Sequence, residues 1–209
     1  ILVFGIFAVP RIIDRIKNGE VVKGDRLDNV SNHSSEENSK LLTIGPAPKF
    51  VLTDQNNKVI SNKEYAGKVY VLEFFFTTCP SICPKMNAQM QRIQQAYKNS
   101  KKVALLSFTV NPKTDTVEQL KRYAIDHEAN DQQWHFLTGK QEKLYHLART
   151  SFFVLKPAEV ENQGDEGSYF IHTNNFVLVD QSGRIRGYYD GTSTKEVNHL
   201  IKDIQLLLN

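Results

Sequence analysis

Val69-Tyr70-Val71-Leu72-Glu73-Phe74-Phe75-Phe76-Thr77-Thr78-Cys79-Pro80-Ser81-Ile82-Cys83-Pro84 is the stretch that decides how this chain folds. Its first eight residues are almost continuously apolar. Such a run reads as a strand buried on both faces, at the centre of a helix-covered sheet. The apolar run breaks at Thr77, and after Pro84 a helical stretch continues to about Asn99. Within it Met86, Met90, Ile93 and Tyr97 recur at three- and four-residue steps, the spacing of one helix face. The two cysteines therefore sit at a strand-to-helix turn. A helix N-terminus carries partial positive charge and unsatisfied N–H groups, which favour thiolate over thiol. Pro84 fits the first helical turn without losing a needed hydrogen bond.

Working outward, the pattern repeats. Val103 to Val110 reads as a second buried strand. Thr114 begins a helix to about Glu128, with Leu120, Tyr123 and Ala124 on one face. Trp134 to Leu137 is a short strand, Lys140 to Arg149 a helix, and Ser151 to Leu155 a strand or sheet edge. Glu159 to Gly167 reads as an exposed acidic loop. Phe170-Ile171-His172 leads into a strand at Phe176 to Val179. Asp180-Gln181-Ser182-Gly183 makes a turn, and Arg184 to Tyr189 returns as the second arm of a hairpin. Thr194 to Leu208 is an amphipathic helix. Upstream, Phe50-Val51-Leu52 and Val59-Ile60 flank the turn-rich TDQNNK and read as another hairpin. The alternation of strands and helices in the middle of the chain gives an α/β class, with a parallel centre and helices on both faces. It fits a thioredoxin-like fold with an N-terminal β-hairpin extension and an inserted C-terminal β-hairpin.

Before Leu41 the character changes. The chain opens on nine apolar residues, Ile1 to Val9, followed by Pro10 and Arg11. At about 1.5 Å per residue they cover about half of a bilayer core of about 30 Å. They read as the end of a membrane anchor that begins upstream, with Arg11 to Lys17 as an interfacial turn. Asn, Ser, Glu, Asp, Gly and Lys dominate Asn18 to Lys40, which offers few apolar groups to bury and reads as a flexible linker. The expected organisation is thus residues 1–17 for the end of the anchor, 18–40 for the linker and 41–209 for the folded domain.

Composition removes several function classes. The net charge of +3 is too weak for a nucleic-acid footprint, which needs a clustered basic face. Cys79 and Cys83 are the chain's two cysteines. Two cannot build a disulfide scaffold or an all-cysteine zinc cage within one chain. A bond across so short a loop adds little stability, so the pair reads as chemistry. Thiolates are soft donors for Cu(I), zinc or iron–sulfur clusters. A two-sulfur site needs a third donor, most simply an imidazole. Spacing leaves the choice among six histidines open. His33 lies in the linker, His127 and His135 flank a helix end and a strand, and His146 and His199 lie on amphipathic helices. His172 precedes an apolar strand and follows the acidic loop.

Four segments in order resemble the SCO/SenC family (synthesis of cytochrome c oxidase). They are Phe75 to Pro84 (FFTTCPSICP), Ser107 to Thr116 (SFTVNPKTDT), Trp134 to Gly139 (WHFLTG), and His172 ahead of Val177 to Gly183 (VLVDQSG). The resemblance spans about Leu41 to Asn209. It implies a thioredoxin-like domain on a single N-terminal membrane anchor, facing the periplasm or an equivalent extracytoplasmic space. It implies one copper, Cu(I) or Cu(II), held by Cys79, Cys83 and His172. The implied role is a copper metallochaperone for the dicopper centre of cytochrome c oxidase. The implied acceptor is the oxidase's subunit II or another cuproprotein. Two departures stand out. Ile171 replaces an Asp often found before the family's histidine, where a carboxylate would orient the imidazole. Asn111 replaces the first Asp of Asp-Pro-x-x-Asp-Thr, while Asp115 is retained and reads as a helix N-cap near Thr114 to Thr116.

The rival reading is an enzyme, a thiol–disulfide oxidoreductase that reduces acceptor cysteines before copper loading. Cys79 and Cys83 would then be the catalytic redox pair and His172 dispensable. A peroxidase would need an Arg beside its thiolate, and the motif around Thr78 and Cys79 supplies none.

Overall fold

The computed structural model describes residues 41–148 and 174–209. The expected anchor, linker, Ser151–Leu155 strand, acidic loop and His172 lie outside the described residues.

The quoted run forms β4 (Val69–Phe75), with all seven residues buried. It pairs in parallel with β5 (Val103–Thr109), also buried throughout. β5 in turn pairs in parallel with β6 (Trp134–Thr138). The connections are α1 (Ile82–Ala96) and α2 (Val117–Asp126). β7 (Asn175–Val179) runs antiparallel to β4 and forms a hairpin with β8 (Arg184–Asp190). On the other side, β2 (Val51–Asp54) and β3 (Val59–Ser61) form the N-terminal hairpin. β2 also pairs antiparallel with β6, so this extension continues the main sheet. A two-residue β1 (Gly45–Pro46) pairs with β8 and completes eight strands in the order β1-β8-β7-β4-β5-β6-β2-β3.

Side-chain chemistry accounts for these elements. Cys83, Met86, Asn87, Met90 and Ile93 form the buried stripe of α1. Thr116 caps α2 by accepting from Gln119 N–H at 3.3 Å, so the helix starts after Thr114–Thr116. α3 (Gln141–His146) lies within the helix expected from Lys140. Ser193 caps α4 (Thr194–Leu208), which buries Val197, Leu200 and Ile204. The β2–β3 turn closes because Asp54 Oδ1 accepts from the amides of Asn56 and Lys58 at 2.9 and 2.8 Å. Asp180 does the same for Ser182 and Arg184, with Gly183 supplying the positive φ of 74°.

The two faces of the sheet carry different cores. Phe75, Tyr123, Phe136 and Trp134 stack or meet edge-on under α1 and α2. Tyr189 of β8 donates to Asp203 of α4 at 2.6 Å, so α4 covers the same face. On the other face Phe50, Tyr65, Phe74 and Phe108 pack together, with Tyr65 supplied by a 3-10 turn over Asn62–Tyr65. Successive strand residues alternate between faces. That alternation puts Glu73 and Phe75 on the helix-covered side.

Candidate metal centre

β4 delivers the cysteine loop at its C-terminal end, and α1 receives it. Cys79 N–H donates to Phe76 O at 3.2 Å, which folds the loop back on the strand. Cys83 is the second residue of α1. Both thiols are free and buried, Cys79 at 7% exposure and Cys83 at 2%. The loop's rim at Thr78, Pro80, Ser81 and Pro84 is exposed.

Ser81 occupies the N-cap of α1 yet makes no side-chain cap bond. The orphan amides at that end are taken by sulfur instead. Cys79 falls to about 5, first because the Cys83 thiol donates to it, and further because the backbone amides of Cys83, Ser81 and Ile82 favour the anion; burial opposes the shift. Cys83 moves the other way. Its hydrogen bond to Cys79, its burial and the negative charge beside it all hold its proton in place. The pair is one thiolate and one thiol sharing a single proton.

Asp115 pins the strand side of the loop. Its carboxylate accepts from the Thr77 hydroxyl at 2.5 Å and from the Thr77 amide at 3.3 Å to each oxygen. The Thr109 hydroxyl at the end of β5 donates to the other oxygen. Burial raises Asp115, and these hydrogen bonds hold it back. The N-cap reading of Asp115 is therefore corrected. Thr116 caps the helix, because the Asp115 side chain is fully buried and turned to the β4 and β5 ends. No local pattern carries this role, since Thr77 is 38 residues away.

A second missed residue lies in the opening run itself. Glu73 is fully buried within β4. Trp134 Nε1 donates to Ser107 Oγ at 2.9 Å, and Ser107 Oγ donates to Glu73 Oε1 at 2.6 Å. Among the described residues, Glu73 Oε2 has no hydrogen-bond partner. Desolvation pushes the carboxyl up to about 8, partly offset by Ser107. The one available signal was a charged residue inside an otherwise apolar strand.

The histidines are sorted by position. His127 stacks on Tyr123 at 4.1 Å between ring centroids, with Nδ1 2.9 Å from Tyr123 O and Nε2 3.2 Å from Asn87 Nδ2. Those contacts tie it to the α1–α2 seam. His135 lies 3.6 Å from Asp54 and edge-on to Tyr65, and burial lowers its basicity. Among the described residues, no cluster of three or more His, Cys, Asp and Glu side chains could hold a metal. His172 lies outside them. Asn174, two residues on, accepts from Gly191 N–H at 2.6 Å. β7 then pairs Val177 with Leu72 and Val179 with Tyr70. Antiparallel pairing puts the start of β7 at the sheet end where β4 delivers the cysteines.

The donor chemistry fits a soft, low-coordinate cation. One thiolate is already ionised, the other yields its proton on metal binding, and two sulfurs suit Cu(I). As a dithiol, the same pair suits thiol–disulfide exchange, with Cys79 as the nucleophile.

Comparison with known proteins agrees with this architecture. The sequence profile of the SCO1/SenC family matches residues 42–209. A Stutzerimonas stutzeri protein whose name proposes copper binding is 33% identical over 144 residues, 68% of this chain and 67% of its own length. A solved SCO1/SenC family lipoprotein from Bacillus anthracis superposes with a TM-score of 0.71 at 30% identity, covering 83% of this chain and all of the other. The solved structure of BsSco, described as a member of the Sco family of cytochrome c oxidase assembly proteins with a disulfide switch, superposes with a TM-score of 0.68 at 30% identity, over 82% of this chain and 98% of the other. With a thioredoxin-like sheet, a cysteine pair at the end of its central strand and a profile match through its last residue, the chain belongs to the SCO1/SenC family.

Proposed function

We propose that this protein is a membrane-tethered copper metallochaperone that carries one copper on Cys79, Cys83 and His172 to the dicopper centre of cytochrome c oxidase. The observation that carries the reading is the asymmetric thiolate–thiol pair at a strand end with an exposed rim. Such a pair binds a soft cation yet leaves its coordination shell short of ligands. An incomplete shell favours release to an acceptor by ligand exchange. Copper and cytochrome c oxidase assembly come from the family and from the relatives described above. Residues 1–17 as the end of an anchor and 18–40 as a linker would hold the domain at a membrane, facing the periplasm or an equivalent space. The lipoprotein relative supports that placement. Subunit II of the oxidase, or another cuproprotein, is the acceptor in this reading.

Copper titration of the reduced protein tests it. Saturation is expected at one metal per chain, with a thiolate-to-Cu(II) charge-transfer band that vanishes in Cys79→Ser and Cys83→Ser. Full affinity in His172→Ala would overturn the ligand set.

The low Cys79 pKa and the disulfide switch described for BsSco favour one second reading, a thiol–disulfide oxidoreductase acting on acceptor cysteines. In an insulin-disulfide assay that function survives His172→Ala and is lost in Cys83→Ser.

A further inference from the structure

We propose that the groove between the β2–β3 hairpin and α3 binds a single-chain amphipathic anion, an aliphatic carboxylate of the fatty-acid type. Neither the cysteine loop nor the copper reading enters into it.

The groove has a volume of about 750 Å³. Small-molecule sites usually span about 300–1,000 Å³, with mostly apolar walls and a few placed polar groups. Here the apolar wall is Phe50, Val51, Leu52, Val59 and Leu147. Phe50, Leu52 and Leu147 are buried, so the core holds that part of the wall in place. Val51 and Val59 keep 58% and 64% exposure although they line the groove. A hydrocarbon chain laid against them takes that surface out of water.

Charge selects the head group. Lys49, Lys63 and Lys143 stand around the groove, and none has an ion pair among the described residues. Two carboxylates line it as well. Glu64 is committed to Ser61, whose amide and hydroxyl both donate to its Oε2 at 2.7 Å. Glu142 is exposed in the first turn of α3. Three lysines against two carboxylates leave a net +1, one of those carboxylates being already occupied. Unpaired ammonium groups over an apolar wall complement an anion with a hydrocarbon tail.

The same wall disfavours a peptide. Each peptide residue brings a backbone donor and acceptor that need partners, and an unpaired one is costly against apolar surface. The Ser61 hydroxyl on the lining is already donated to Glu64. An aliphatic chain brings no such groups. The site also stands apart from the cysteines. β2 is the third strand from β4 in the sheet, roughly 14 Å at the usual strand spacing. Occupancy of the groove and copper loading should therefore be additive, not competitive.

The test titrates dodecanoate, kept below its micelle concentration, into the full reduced, metal-free chain by isothermal calorimetry. One saturating site per chain is expected, weakened by salt because the head group meets exposed lysines. Butyrate, with the same head and a short tail, should bind at least about a hundredfold more weakly. Dodecyltrimethylammonium, with the same tail and the opposite charge, should bind at least about tenfold more weakly. Val59→Asp puts a carboxylate on an exposed wall position and should cost at least about tenfold. Combining Lys49→Ala, Lys63→Ala and Lys143→Ala should cost about tenfold and remove the salt dependence. That surface variant carries the test if Val59→Asp lowers stability. Failure to saturate, equal affinity for the two head groups, or full affinity in the folded variants would overturn the proposal. So would sedimentation with phosphatidylglycerol vesicles that Val59→Asp abolishes while dodecanoate does not bind, which would give the groove to a bilayer.

Discussion

The Asp115 carboxylate holds both the amide and the hydroxyl of Thr77, two residues before Cys79, and so joins the β5 end to the start of the cysteine loop. Asp115→Ala leaves the Thr77 amide, the Thr77 hydroxyl and the Thr109 hydroxyl without their acceptor. A cost of about 2–3 kcal/mol is expected in urea unfolding. Copper affinity of the folded variant should fall as well, because the loop loses its fixed origin. Asp115→Asn, which keeps one carbonyl acceptor, should cost less on both readouts. Equal losses for Ala and Asn would contradict the clamp.

The cysteines should differ sharply in reactivity. Cys79 is an anion from about pH 5 upward, whereas Cys83 keeps its proton through neutral pH. Iodoacetamide labelling of the reduced, metal-free protein should therefore rise through pH about 5 and plateau above it. Mass spectrometry should place the label on Cys79. In Cys79→Ser, Cys83 loses its anionic partner but stays buried, so it should remain unlabelled at pH 7 under conditions that saturate the wild type. Labelling that first reaches Cys83 would reverse the assignment.

Glu73 predicts an unusual slope of stability with pH. Its folded-state value of about 8 lies above the ordinary carboxylate range of about 4.3 in the unfolded chain. Between those values the folded state binds the extra proton. Stability from this group is fully present below the unfolded value and is lost as pH rises through the folded one. The loss approaches about 1.4 kcal/mol per pH unit, an order-of-magnitude limit. Cys79, lowered to about 5, contributes a slope of opposite sign over the same window, so the Glu73 slope is read as a difference between variants. In urea unfolding of the reduced, metal-free protein, Glu73→Gln should gain stability with pH from 5 to 8 more steeply than wild type, and parallel profiles for the two would refute the buried acid.

Arg186 clasps the chain where it enters the sheet. Its guanidinium donates to Leu41 O and Leu42 O at 2.8 and 2.9 Å and pairs with Asp180 at 2.8 Å. Arg186→Lys cannot reproduce that fork. Both Arg186→Ala and Arg186→Lys should release β1, which is held to β8 by only two residue pairs. Limited proteolysis should then cut between residues 41 and 50 much faster, with global stability down by about 1 kcal/mol. Unchanged cleavage kinetics would show that β1 holds without the clasp.

Much of the fold was legible because periodicity is local. The continuous apolar runs of β4 and β5 and the spaced stripe of α1 each report their own burial. β1 was not legible, since a Gly-Pro pair has no strand pattern and is held by its partner, β8. The start of α2 was read too early because Thr114, Asp115 and Thr116 are all capable caps. Which of them caps depends on what lies opposite Asp115.

By itself, the sequence determined the strand–turn–helix that carries Cys79 and Cys83, the parallel centre of the sheet and, through four ordered motifs, the family. Those features depend on neighbours within a few residues or on order along the chain. Tertiary structure alone decided that the bare amides of α1 serve the Cys79 sulfur. It also turned Asp115 to the loop and buried Glu73 in a polar column with Ser107 and Trp134. The physical reason is that burial and hydrogen-bond partners set these charges, and the partners come from strands and helices distant in sequence.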